Sequence, residues 1–208
     1  CAWGDQITVA SGTPGGVWSS TLVTITPGRL VTSFAPGTAG ITYTLPSGCS
    51  VTATLTVHPL PTPITASPGF VICAGSTTLL SSTPPGGTWT STVPGVATIG
   101  SSTGLVTGIG AGTTVITYRI APIGCFTTAT VTVNPLPAPI VGSGQLCIGE
   151  TTTFTNPTPG GTWISTGHGT LIGGTTGVIT AYALGMDTIT YTLPTGCYAT
   201  HSVSVLPA

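Results

Sequence analysis

Six cysteines are the residues of this chain best equipped for chemistry, and they fall in a regular order. Cys1, Cys73 and Cys147 stand 16 or 17 residues before a tryptophan (Trp18, Trp89, Trp163), and Cys49, Cys125 and Cys197 follow it by 31 to 36. Thiols at such positions could ligate zinc or pair oxidatively. Zinc needs clustered ligands, whereas this chain has no CxxC pair, and the two cysteines of each unit lie 48 to 52 residues apart without histidines in register. Two cysteines per unit at matching places predict disulfides and an oxidising, extracellular compartment. Pairing within each unit (Cys1–Cys49, Cys73–Cys125, Cys147–Cys197) uses every cysteine. It closes loops of about 50 residues, for which chain entropy gives roughly 4 kcal/mol, a large contribution to so small a core. That pairing is the expectation.

The remaining titratable residues are few: Asp5, Glu150, Asp187, His58, His168 and His201. No two acids share a short motif, so paired-carboxylate catalysis has no candidate, and calcium lacks its carboxylate cluster. His58 is matched by Asn134 and Leu206 in the sister units, and His201 by Ala53 and Ala129. These are substitutions on a shared scaffold and not a shared site. No nucleophile-elbow motif supports a serine hydrolase. The sequence predicts no enzyme, no metal and no cofactor.

Composition narrows the field further. Only 2 % of the 208 residues are charged, against roughly a quarter in an ordinary soluble protein. The basic residues are Arg29 and Arg119, and the net charge is −1. Nothing here neutralises phosphates, so nucleic acid is excluded as a partner, and no polybasic segment addresses an anionic membrane. No apolar run approaches the roughly 18 residues of a membrane helix.

The elements that position the cysteines come round three times. Thr13-Pro14-Gly15-Gly16-Val17-Trp18, Pro84-Pro85-Gly86-Gly87-Thr88-Trp89 and Thr158-Pro159-Gly160-Gly161-Thr162-Trp163 each read as a turn opening into a strand, with proline fixing φ and two glycines free to take positive φ. Residues 52–57, 128–133 and 200–205 alternate Thr or Ser with aliphatic residues or Ala, apart from His201, at the strand period of two. Ile41-Thr42-Tyr43-Thr44, Ile116-Thr117-Tyr118-Arg119 and Ile189-Thr190-Tyr191-Thr192 precede them across a Gly-Cys turn, predicting hairpins. Thr103 to Gly108 and Thr176 to Ala181 read as further short hairpins. No window shows helical periodicity. The tandem pattern divides the chain at 1–61, 62–137 and 138–208 into three small β-sandwiches, each an all-β unit of short strands. Proline joints at 58–64 and 134–140 should hold successive units on a semi-rigid rod. The first unit lacks the lead-in strand of the other two, and the internal register predicts that both ends are cut from a longer array.

The order Cys-x-Gly, Pro-Gly-Gly-x-Trp, Thr-Gly-Leu-Val-Thr-Gly, Gly-Thr-x-x-Ile-Thr-Tyr, Gly-Cys, Thr-Val-x-Pro resembles bacterial immunoglobulin-like repeats. It stands in full in unit two (Val96 to Ile99, Thr103 to Gly108) and loosely in unit one (Thr26 to Thr32). The resemblance implies a large secreted or cell-surface protein, of which adhesins and type IX-secreted proteins are examples. An immunoglobulin-like topology also implies a second disulfide set. The turn after the first strand and the last hairpin turn would lie at opposite ends of a sandwich. Cys73 would then approach Cys197, Cys1 would approach Cys125, and Cys49 and Cys147 would be left for neighbours outside the chain.

Trp18, Trp89 and Trp163 could stack on sugars, but a strand-start tryptophan in every unit fits a core position, as do Tyr43, Tyr118 and Tyr191. Trp3 has no counterpart and is the expected exposed aromatic. Asp187-Thr188-Ile189 resembles a bacterial O-glycosylation acceptor, which nominates Thr188. Secreted β-proteins guard exposed strand edges with charge, and this one has almost none. The leading expectation is therefore a structural segment of a fibre, sheath or stalk that self-associates, with strand addition completing unit one. The alternative is a cell-surface adhesin or glycan-binding module acting as a monomeric spacer. Ice binding by regular threonine arrays is a third reading.

Overall fold

The computed structural model describes residues 1, 6–27, 30–33 and 35–208. Trp3, Asp5, Gly28 and Arg29 lie outside the described residues, and so does the expectation placed on Trp3. The alternating Thr-aliphatic stretches all form strands, because period-two side chains can put every aliphatic on one face. In the first repeat these are β1 (Gln6–Thr8), β2 (Val17–Ser20), β3 (Thr24–Ile25), β4 (Leu30–Thr32), β5 (Gly37–Thr44) and β6 (Ser50–Val57). In the second they are β7 (Thr65–Ser67), β8 (Val71–Cys73), β9 (Thr77–Ser81), β10 (Thr88–Ser91), β11 (Ala97–Ile99), β12 (Leu105–Gly108), β13 (Gly112–Arg119) and β14 (Phe126–Asn134). The third has β15 (Gln145–Cys147), β16 (Thr151–Thr153), β17 (Thr162–Thr166), β18 (Thr170–Ile172), β19 (Val178–Ala181), β20 (Gly185–Thr192) and β21 (Tyr198–Leu206).

Repeat two shows the plan most completely. One sheet runs β7-β9-β12-β11 and the other β8-β14-β13-β10, so the lead-in contributes an edge strand to each. Every pairing is antiparallel except β8, which lies parallel to β14 with Cys73 opposite Asn134. Repeat three repeats this with β15 parallel to β21 and Cys147 opposite Leu206. Between the sheets lie Ile72, Leu80, Trp89, Val106, Ile116, Tyr118, Val131 and Val133, all nearly inaccessible. Repeat one pairs β2-β5-β6 and β1-β4-β3, and among its described residues no strand lies along the outer edge of β6. The architecture is an all-β, immunoglobulin-like multi-sandwich fold.

Two readings need correction. The middle hairpin does not fold within Thr103 to Gly108. Its strands are β11 and β12, with Ile99 opposite Val106, and Gly100 to Gly104 make the turn. In the Pro-Gly-Gly turns only the first glycine takes positive φ: Gly15 at 89°, Gly86 at 91° and Gly160 at 88°. The second is small for a different reason. A Cβ on Gly16, Gly87 or Gly161 would come 2.5 Å from the ring carbon bearing the hydroxyl of Tyr43, Tyr118 or Tyr191.

Candidate functional site

Each unit carries a clasp at its leading end. The tryptophan of β10 packs on the tyrosine of β13, ring centroids 4.4 Å apart, because Trp89 and Tyr118 are register partners. The same pairs stand at 4.7 Å (Trp18 and Tyr43) and 4.6 Å (Trp163 and Tyr191). The backbone N–H of Gly87 donates to the Tyr118 hydroxyl at 2.8 Å, and that hydroxyl donates to the Pro84 carbonyl at 2.7 Å. Tyr43 does the same with Gly16 and Thr13, and Tyr191 with Gly161 and Thr158. Trp89 and Trp163 are buried and Trp18 is half-buried, so in repeats two and three the indole is core and offers no open sugar platform.

Beside the clasp is the Gly-Cys turn. Leu45 N–H donates to the Cys49 carbonyl at 2.9 Å and Gly48 N–H to the Leu45 carbonyl at 2.9 Å. Ile120 with Cys125 and Leu193 with Cys197 repeat the bond at 2.8 Å. Positive φ at Gly48 (86°), Gly124 (84°) and Gly196 (85°) closes each turn, the one in repeat two being a residue longer than the other two.

The other cysteine sits at the opposite, trailing end. Cys73 registers with Asn134, eight residues along β14 from Phe126, which directly follows Cys125. At about 3.3 Å per residue the length of β14 that separates the two cysteines is roughly 26 Å, whereas a disulfide needs Cα atoms within about 7 Å. Pairing within a unit is therefore impossible in this fold, and the expected set is overturned. The structure joins Cys1 to Cys125 and Cys73 to Cys197, with Cα separations of 5.7 and 5.6 Å. Each disulfide ties the trailing end of one unit to the leading turn of the next, across the proline joint. Both span 124 residues, and they are the set that an immunoglobulin-like topology implied from the sequence. Cys49 and Cys147 carry free, exposed thiols. The disulfides place the chain in an oxidising, extracellular compartment.

The remaining candidates do not converge. Among the described residues no three His, Cys, Asp or Glu side chains gather where they could hold a metal. His168 is exposed, His58 is half-buried in the first joint, and the His201 ring meets Phe154 edge-on at 5.5 Å. Glu150 accepts the backbone N–H of Cys147 at 2.9 Å, holding the turn after β15. Asp187 has a structural role that its place in the sequence does not reveal. It occupies the core-facing register of β20 that Thr114 holds in β13, and it is buried. Burial pushes its carboxyl up, but donors from the Thr170 hydroxyl at 2.5 Å, the Gly169 N–H at 3.2 Å and the Ser165 hydroxyl outweigh this, leaving it below the usual carboxylate range. Thr114 does the equivalent work in repeat two, bonding Ser91 at 2.9 Å and the Val93 N–H at 3.0 Å. Thr188 is half-buried on the opposite face of β20 from Asp187, so an enzyme reading the two together meets only the threonine in the folded strand.

No family model matches the chain, and no curated protein matches its sequence. Similar solved structures include invasin, a bacterial integrin-binding protein, at 17 % identity over 92 % of this chain and 51 % of that one, with TM-score 0.48. A C-terminal 282-residue fragment of intimin, in complex with the intimin-binding domain of its translocated receptor, is 21 % identical over 64 % of this chain and 58 % of that one, with TM-score 0.43. Domains 1–6 of the surface-layer protein SbsC are 17 % identical over 92 % of this chain and 35 % of that one, with TM-score 0.34. The chain thus spans between 35 % and 58 % of the length of these structures.

Proposed function

We propose that this chain is a structural segment of a long extracellular repeat protein, built of units divided at 61/62 and 137/138, that forms a fibre, sheath or stalk by self-association. The observation that supports it is the chemistry of the free strand edges. Val17 on β2 and Leu171 on β18 are 71 % and 70 % exposed on edge strands that carry no charged residue. Unguarded edges of this kind are templates for further pairing, and a net charge of −1 supplies no repulsion between copies. Disulfides across stiff joints add a reason for structural duty, since they convert a chain of sandwiches into a rod. Proteins exported by a type IX route are among those built from repeats that this sequence resembles, and export by that route belongs to the same proposal.

Electron microscopy of the natively secreted protein tests this reading. Filaments or sheets with an axial repeat set by the units are expected, and monodisperse rods at all concentrations would contradict it. A second reading, display of a ligand-binding loop, is favoured by residues 182–186, where Tyr182 and Leu184 between β19 and β20 and Met186 at the start of β20 are all exposed. It requires saturable binding, to a glycan for example, that is lost when these three side chains are truncated.

A further inference from the structure

The two disulfides interleave. Cys1 bonds Cys125 and Cys73 bonds Cys197, so each bond starts or ends inside the loop that the other closes. Three covalent segments therefore run between the same two bonds: residues 1–73, 73–125 and 125–197. A pull along the rod enters unit two at Cys125, in its leading turn, and leaves at Cys73, at its trailing end opposite Asn134. The force lies along β13 and β14, so neighbouring hydrogen bonds of these ladders must give together and not one after another. Units one and three hang in the other two segments, each held at one end. Cys1 shares a small hollow with Thr56 and Val57 at the close of β6, so residues 57–73 are the slack of the first segment. Ala138, whose N–H donates to the Thr158 hydroxyl at 2.9 Å, sits at the clasp of unit three beside the Cys197 turn. Residues 125–138 are thus the slack of the third. Drawn straight, these stretches reach at most roughly 55 and 45 Å. Any greater separation of the two bonds has to open all three units.

We propose that this interleaving makes the chain a load-bearing link with a built-in stop: tension along the rod is shared by three covalent segments, and no unit can be drawn out alone. This goes beyond the assembly reading and applies to a single rod as much as to a filament. The shortest segment sets the stop. From Cys1 to Ala208 the shortest covalent route crosses a disulfide, follows residues 73–125, crosses the second disulfide and follows residues 197–208. That route of about 63 residues reaches roughly 220 Å, whereas the unlinked chain reaches roughly 720 Å. Cys125 and Cys197 are 1 % and 0 % exposed, so a reducing thiol gains access to these bonds only when the joints are pulled open.

The test stretches single molecules of the 208-residue chain between handles at its two ends, in the oxidised C49S/C147S variant. Both replaced thiols are free and exposed, so the variant keeps the fold, and circular dichroism checks it. Extension should stop at roughly 220 Å and be released in one main step, because the three segments must yield together. Reductant added to the stretched chain should then lengthen it about threefold, to roughly 720 Å. A further C1S/C125S change leaves one staple and should move the stop to roughly 290 Å, through residues 1–73 and 197–208. A stop near 540 Å in the first variant, the value for a lone Cys73–Cys125 bond, would overturn the proposal, as would any stop that reductant does not move. Release of one unit after another before the stop would overturn the sharing of load. Since one molecule is pulled at a time, self-association, whether it occurs or fails, leaves these lengths unchanged.

Discussion

Repeats one and two share a clasp but differ in closure. Trp18 and Trp89 stack on their tyrosines within 0.3 Å of the same distance (4.7 against 4.4 Å), yet Trp89 is buried and Trp18 only half-buried. The indole N–H of Trp18 and the Ser20 hydroxyl find no partner. Leu55 on β6 is half-buried, while its register equivalent Val131 on β14 is sealed. The difference follows the edge strand β8, which covers β14 and has no described counterpart over β6. The clasp is thus a local device that forms from one turn and two neighbouring strands. Sealing the sandwich depends on a lead-in strand from before the cysteine, laid parallel on the last strand. In repeat two the same strand carries Cys73 to the joint, whereas repeat one is stapled through Cys1 without a described strand in that place, so the staple forms whether or not the sandwich is sealed.

Breaking the core should show this contrast most strongly. Trp89→Ala should cost about 3–5 kcal/mol and Trp18→Ala roughly half as much, because the second site is already open to water. Hydrogen exchange resolved by repeat checks it, and equal losses would mean that β8 contributes little to burial. Replacing Cys73 and Cys197 together by serine should cost about 2–4 kcal/mol in denaturant titration, part of it through the unfolded chain. Small-angle scattering should then show a broader distribution of angles at the second joint. Tyr118→Phe removes both hydroxyl bonds and leaves the Gly87 N–H unpaired, at a cost of about 1–3 kcal/mol. The same change at Tyr43 should cost no more, since the clasp is local. Asp187→Ala should destabilise repeat three by about 1–2 kcal/mol at neutral pH. Because the folded carboxyl titrates below its ordinary range, that contribution is present above the usual aspartate pKa of about 3.9 and disappears as pH falls through the lower folded value. Thermal melts of both proteins from pH 7 to pH 2 should converge at the acid end.

The strands were legible because alternation of Thr with aliphatic residues or Ala leaves one apolar face, and β14 and β21 each extend the expected stretch only by flanking residues. Motif order likewise located the clasp. The role of the second glycine was not legible, since closeness to Tyr118 is a tertiary fact that turn chemistry does not encode. Asp187 looked isolated because its donors, Thr170 and Ser165, sit on other strands. The disulfide pairing failed for a related reason. Counting cysteines within a unit ignores that β8 runs parallel to β14 and so carries Cys73 to the end far from Cys125, a direction that composition and period do not specify.

The stapled joints and the parallel edge strands stand or fall with the disulfides that cross between units. Trypsin can cut only after Arg29 and Arg119, so the natively secreted protein should be digested unreduced with a protease of broad specificity and the linked peptides sequenced by mass spectrometry. Cys73 is expected joined to Cys197 and Cys1 to Cys125. Recovery of Cys73 joined to Cys125 would contradict the parallel edge strand, the stapled joints and the array built from them.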